Sequence, residues 1–405
     1  MLTPTLVLRD PEVIKQVLLK DFEYFHQRVF YFKEDKDPLA ANLFTVGGSR
    51  WKTMRTKLNP GFTPSKMRLM FSTMVNTTDQ LVYHIESLGE IVEIKDIFKR
   101  FTMDVIASIA FGIETNCLKD SDNDFIRWGN KVFEATPLSG LRNFINFVLP
   151  KLASIIYIPF FSKEITDHFC GLVWSTIDYR NKHSIKRNDF MQMLMQLREK
   201  GYIDDDENPS ATRNVDITAQ AVIFFTAGFE TTATSLSFCI HELAMNSSVQ
   251  ARLYDEVCCV LDKHDGNVTK YPPGAILTRK CCKDFVLPGS DNVVLEAGTP
   301  IIVPILGLHH DPRYFPDPDN FNPERFSEEN KNSISPYVYL PFGGGPRNCI
   351  AARFAMMEMK VAIAVLLKKY EIQPCSTTVH PLTFDPRAFV LSSISGMFLQ
   401  FSKRM

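Results

Sequence analysis

The segment FGGGPRNCIA, residues 342–351, is the most chemically specific arrangement in the chain. Its three glycines permit a tight backbone that can lie against a flat cofactor. Pro346 stiffens the turn, and Cys349 stands just before a long helical pattern. There, free backbone N–H groups and the helix dipole favour a thiolate, the form of cysteine that ligates a metal. Arg347, two residues earlier, can pair with an anionic group. The bland alternative, a Gly-rich turn around a structural cysteine, does not account for Phe342, Gly345, Arg347 and Cys349 falling together.

A second candidate is AGFETT at 227–232, inside a helical pattern over residues 217–246. Gly228 in mid-helix costs about 1 kcal/mol relative to alanine, so it needs a reason. The Thr231 hydroxyl can bond the carbonyl four residues back and open the helix locally. Glu230 and Thr231 at such an opening could admit oxygen and relay protons; alone, the pattern reads more readily as a polar seam in a core helix. Trp51 and Arg55 share a helix face at i, i+4. His309, His310 and Asp311 could hold a metal, but adjacent histidines diverge on most backbones, so use beside a small sheet is expected.

The elements that must position these residues are mainly helical. A chain of 405 residues with 45% hydrophobic content can bury a large core. Residues 5–8 read as a strand, followed by a helix with Asp10 at its N-cap and Pro11 at its first position. Helical pattern dominates residues 50–265, with a polar loop at 204–214. Residues 271–345 are Pro-rich and strand-like, and a long apolar helix spans 351–370. The expectation is a mainly α fold with a small β part, residues 1–405 forming one unit.

Net charge is −1, which gives no support to nucleic acid as a partner. Nine cysteines show no disulfide or paired-Cys zinc spacing, so a reducing compartment is the simplest reading. No stretch reaches the uninterrupted apolar length of a membrane span. Residues 144–161, broken by Pro150 and Pro159, read as short helices with a greasy outer face suited to peripheral membrane contact, or equally as ordinary core.

The loop at 342–351 resembles the cytochrome P450 signature Phe-x-x-Gly-x-Arg-x-Cys-x-Gly, matched at Phe342, Gly345, Arg347 and Cys349. Ala351 replaces the usual last glycine, a mild change at a helix start. The resemblance runs along the whole chain and is closest to insect microsomal members. It implies that Cys349 ligates the iron of heme b (iron protoporphyrin IX), where an axial thiolate favours O–O cleavage. It places Thr231 and Glu230 in proton delivery. It makes Trp51, Arg55, Arg279, Phe342 and Arg347 the residues that hold the heme. The implied activity is a monooxygenase inserting one atom of O2 into a small apolar substrate, xenobiotic or lipid-like. Electrons would come from an NADPH-dependent flavoprotein reductase, since no G-x-G-x-x-G fingerprint is present. Relatives sit on the cytosolic face of the endoplasmic reticulum membrane.

Two family segments lack a counterpart. Microsomal members open with a membrane helix, a hinge, and a first helix and strand; this chain opens at what resembles the second strand, leaving residues 5–8 without their hairpin partner. Further on, the family has a helix bearing Glu-x-x-Arg before a Tyr-Pro-Pro turn. That helix interlocks with the arginine matched here by Arg325 in PERF, 323–326. Here GNVTKYPPG, 266–274, runs straight into the turn. A helix of about twenty residues is thus missing between about residues 269 and 271, and the expected fold is an incomplete cytochrome P450 fold. Arg325 should lack its carboxylate, a loss that typically costs about 3–5 kcal/mol in a buried network. Poor heme retention and low activity follow. The competing readings are a catalytically impaired or dead isoform, or gene-model product, that does not hold heme properly, and a peripheral membrane scaffold.

Overall fold

The computed structural model describes residues 4–134, 136–149, 152, 155–200, 213–259, 271–288 and 293–404. Its first half is helical: α1 (Pro11–Lys15), α2 (Gly48–Leu58), α3 (Pro64–Leu88), α4 (Ile94–Ala110), α5 (Asp124–Phe133) and α6 (Pro137–Val148). Then come α7 (Lys163–Lys182), α8 (Phe190–Glu199), α9 (Arg213–Met245), α10 (Ser247–Cys259), α11 (Ile305–His309) and α12 (Ala352–Lys369). The strands are β1 (Leu6–Val7), β2 (Ile91–Glu93), β3 (Leu277–Lys280), β4 (Phe285–Val286), β5 (Val294–Leu295), β6 (Pro300–Val303), β7 (Tyr370–Pro374) and β8 (Phe398–Lys403). They form sheets ordered β1-β6-β3, β2-β8-β7 and β4-β5. The mainly α architecture with a small β part is as the sequence predicts.

Local chemistry explains the helix starts. The Asp10 carboxylate accepts the Glu12 and Val13 amides, and Pro11 opens α1, which continues as a π turn, Gln16–Lys20. The Glu93 side chain accepts the Asp96 amide and, with its other oxygen, the Met397 amide, so one residue caps α4 and ties it to the C-terminal sheet. α9 is apolar on nearly every face and is correspondingly buried. It packs along α4 through a stripe at helical spacing. Ile106 lies against Gly228, where an added Cβ would come within 2.8 Å of the isoleucine side chain. Thr102 donates to the Phe229 carbonyl at 2.9 Å. The glycine therefore has a packing reason: it lets α4 approach.

Residues 5–8 pair in parallel with Ile301 and Ile302 of β6, and the Leu8 amide continues the ladder; among the described residues they have no hairpin partner. The polar loop ends earlier than residue 214, because α9 begins at Arg213, and residues 204–212 lie outside the described residues. Asp216–Met245, interrupted by Asp216, Glu230 and Glu242, is long and apolar enough to cross a membrane by length and composition alone, but most of it is buried in the fold. The missing helix was placed where residues 269 and 270 lie outside the described residues.

Candidate functional site

Cys349 follows a tight 3-10 turn, Gly345–Arg347, and its amide donates to the Phe342 carbonyl at 2.8 Å. Gly345 has φ +69°, and a Cβ there would sit 1.9 Å from the Leu18 carbonyl oxygen. At Gly345 the close approach that excludes a side chain is to the chain's own π turn. Ala351 has φ −98°, a conformation open to any L-residue, so the family glycine is not needed there. Cys349 is reachable by solvent, although protein surrounds it closely. Burial raises its thiol pKa, opposed by a hydrogen bond from the Ala351 backbone and by the positive charges of Arg55 and Arg28.

The cations around this loop are the main electrostatic feature. Arg347 is buried, donates to the Phe44 and Val46 carbonyls, and lies over the Trp51 ring at 4.5 Å. Arg55 on α2 donates to the Asn348 carbonyl at 2.9 Å and to its side-chain oxygen at 3.0 Å. Arg279 on β3 is fully buried, with one bond to the Thr278 carbonyl; its Nε and Nη2 have no partner among the described residues. Arg347 Nε is likewise unpartnered. Burial, Arg28 and Arg347 push the Arg279 pKa well down. Burial and Arg28 pull Arg347 to about 9. A buried arginine is ordinarily paired. This cluster, with several N–H donors unanswered, fits a ligand bearing carboxylates, as heme propionates would be.

Arg28 was not singled out from the sequence. It stacks over Phe44 at 4.1 Å, and its own pKa is drawn down to about 10 by burial. Nothing in HQRVF, 26–30, marks it, because its partners come from elsewhere in the chain.

On α9, Ala227 is exposed in the middle of an otherwise buried helix. The Thr231 hydroxyl donates to its carbonyl at 2.6 Å, as expected, yet the helix stays regular. Glu230, one residue and about 100° away, faces α4 instead. Its carboxylate pairs with Lys95 at 2.9 Å and Lys99 at 3.1 Å. Burial opposes its ionisation, but the two lysines prevail and hold its pKa below 4.5. Glu230 and Lys99 line a cavity of about 660 Å³ with residues of α5 and of the 385–392 turn. The structure therefore gathers Trp51, Arg55, Arg279, Phe342, Arg347 and Cys349, while Thr231 and Glu230 take different faces of α9.

The adjacent histidines diverge. His309 Nε2 accepts the Leu340 amide at 3.1 Å, whereas His310 Nδ1 lies 2.9 Å from the Leu306 carbonyl oxygen.

Comparison with known proteins identifies the family. The cytochrome P450 family model matches residues 1–399. The chain is 38% identical to cytochrome P450 6k1 of Blattella germanica, covering 99% of this chain and 83% of that one. Cytochrome P450 9e2 of the same organism is 39% identical, over 100% and 84%, and cytochrome P450 6a2 of Drosophila melanogaster is 36% identical, over 98% and 84%. The first alignment runs over 436 positions against 405 residues, so at least 31 of its positions are filled only by the relative. The chain belongs to the cytochrome P450 family of heme monooxygenases.

Proposed function

We propose that residues 1–405 form a single heme domain with Cys349 as the thiolate ligand of heme b, acting on a small apolar molecule. The observation that carries this reading is the buried arginine cluster beside Cys349, which has unanswered donors and, among the described residues, no carboxylate partner. When bound, the heme would supply reductive activation of O2 and transfer of one oxygen atom to the substrate.

The chain's residues do the rest. Arg28, Arg55, Arg279 and Arg347 would hold the two propionates, and Trp51 backs Arg347. Phe342 would lie beside the cofactor, and its carbonyl accepts the Cys349 amide. The Thr231 hydroxyl holds a proton on the face of α9 that Ala227 opens. Glu230, kept ionised by its lysine pair, lines the neighbouring cavity, where its carboxylate can accept hydrogen bonds from entering water and so orient a path for protons. Electrons come from an NADPH-dependent flavoprotein reductase. Leu138, Leu141, Phe144, Ile155 and Ile156 are exposed and provide an apolar face for peripheral contact with the endoplasmic reticulum membrane.

A second reading, impaired heme retention, is favoured by one observation. Arg325 bonds the Pro316, Asp317 and Asn320 carbonyls, and among the described residues it has no carboxylate. The alignment surplus agrees with a missing Glu-x-x-Arg helix. Two insertions test this: the relatives' segment, and the same segment with its Glu changed to Ala. The first should raise heme bound per chain several-fold and the second should not. Equal heme in all three proteins would remove the missing helix from the account.

A further inference from the structure

The sheet that carries Arg279 and the loop that carries Cys349 are separate in sequence, and one side chain joins them. β6 pairs with β3, where Arg279 lies opposite Ile301, and β6 leads within two residues into α11, which ends at His309. His309 Nε2 accepts the amide of buried Leu340 at 3.1 Å. The Leu340 carbonyl then accepts the Gly343 amide at 3.0 Å, and the Phe342 carbonyl accepts the Cys349 amide at 2.8 Å. The imidazole is packed beside the Tyr339 ring, 4.9 Å between centroids, and near Phe315 at 6.1 Å.

We propose that His309 is a positioning residue for Cys349: its Nε2 anchors the start of the cysteine loop to the sheet that bears Arg279. The inference rests on the heme-thiolate reading for its purpose, but the anchor itself is a property of the protein alone.

The chemistry suits the task. To accept at Nε2 the ring must be neutral, with its proton on Nδ1. Burial, with His310 adding to it, lowers the His309 pKa to about 3, so the acceptor persists across physiological pH. Without it, the Leu340 N–H would be left unpaired inside the protein. The same turn of chain then leads through Gly343 and Gly345 to Arg347 and Cys349. The ligand and its neighbouring cation are thereby set at a fixed offset from Arg279.

Two substitutions separate anchoring from packing. His309→Phe keeps an aromatic ring beside Tyr339 and loses the acceptor. His309→Gln loses the ring and keeps an acceptor. In the heme-free chain, iodoacetamide alkylation of Cys349, followed on its own peptide by mass spectrometry, should quicken about five- to tenfold in His309→Phe, the scale of one lost hydrogen bond to a buried amide. It should stay within about twofold in His309→Gln. The reverse ranking would make His309 a packing residue and overturn the proposal. A measurement on the unaltered chain stands even if the variants fold poorly: the Leu340 amide must be strongly protected from hydrogen exchange, and exchange at an unprotected rate would also overturn it. With heme added, the thiolate-type carbon monoxide band should weaken in His309→Phe and return in His309→Gln. Absence of that band from the unaltered chain would count against the heme-thiolate reading and leave the alkylation and exchange results to decide the anchor.

Discussion

The Arg347 guanidinium lies 4.5 Å over the centre of the Trp51 indole while its N–H groups reach the Phe44 and Val46 carbonyls. One side chain thus joins the cysteine loop, helix α2 and the segment before it. An arginine can do this because its planar fork donates in two directions while its face stacks on a ring. The arrangement leaves Nε without a partner, so the residue is held in place and still has hydrogen-bonding capacity to offer.

Arg347→Lys should therefore do more damage than a change that keeps the charge would imply. Lysine cannot stack in plane or reach both carbonyls. The expected loss is about 1–3 kcal/mol of stability in urea unfolding, with hemin affinity reduced more than tenfold. Trp51→Phe, which preserves a ring, should lose less of both. Unchanged hemin affinity in Arg347→Lys would show that this cation does not face the cofactor.

Glu230 makes a prediction in pH. Its pKa in the folded chain is below the ordinary 4.5, because Lys95 and Lys99 outweigh its burial. The carboxylate then contributes stability that is fully present above the unfolded value and is lost as pH falls through the lower folded one. Glu230→Gln leaves two lysines facing a neutral group and should cost about 3–5 kcal/mol at pH 7. The gap between wild type and variant should close as pH falls below 4.5. Urea melts at neutral and acid pH check this; a gap independent of pH would mean the charge is not what matters.

Asp37 ties the segment before α2 to the chain after α6. It is fully buried, and one oxygen accepts from the Tyr157 hydroxyl at 3.1 Å and from the Phe160 amide at 2.6 Å and the Phe161 amide at 3.4 Å. Asp37→Ala should cost about 2–3 kcal/mol and speed hydrogen exchange at the Phe160 and Phe161 amides. Asp37→Asn keeps one acceptor oxygen and should do so less. Equal exchange in all three proteins would show that these two segments are held by something else.

Much of the site could be read from the chain because its spacing is set locally. A turn fixes Phe342, Arg347 and Cys349 relative to one another, and one helical turn fixes Trp51 to Arg55. What could not be read depends on distant partners. Arg28 gains its place from Phe44, and Gly228 gains its reason from Ile106 on another helix. The direction of Glu230 follows from Lys95 and Lys99, whose i, i+4 spacing is visible but whose partner helix is not. For His309 only a general use beside the small sheet could be read, because nothing local shows that its ring turns to the Leu340 amide.

The most direct test of the central claim is the reduced, carbon-monoxide difference spectrum of the chain reconstituted with excess hemin. The account predicts a strongly red-shifted Soret band, of low amplitude per chain, that disappears in Cys349→Ala. No heme band, or only the unshifted band of a neutral ligand in the unaltered chain, would contradict the assignment of Cys349 as the thiolate ligand.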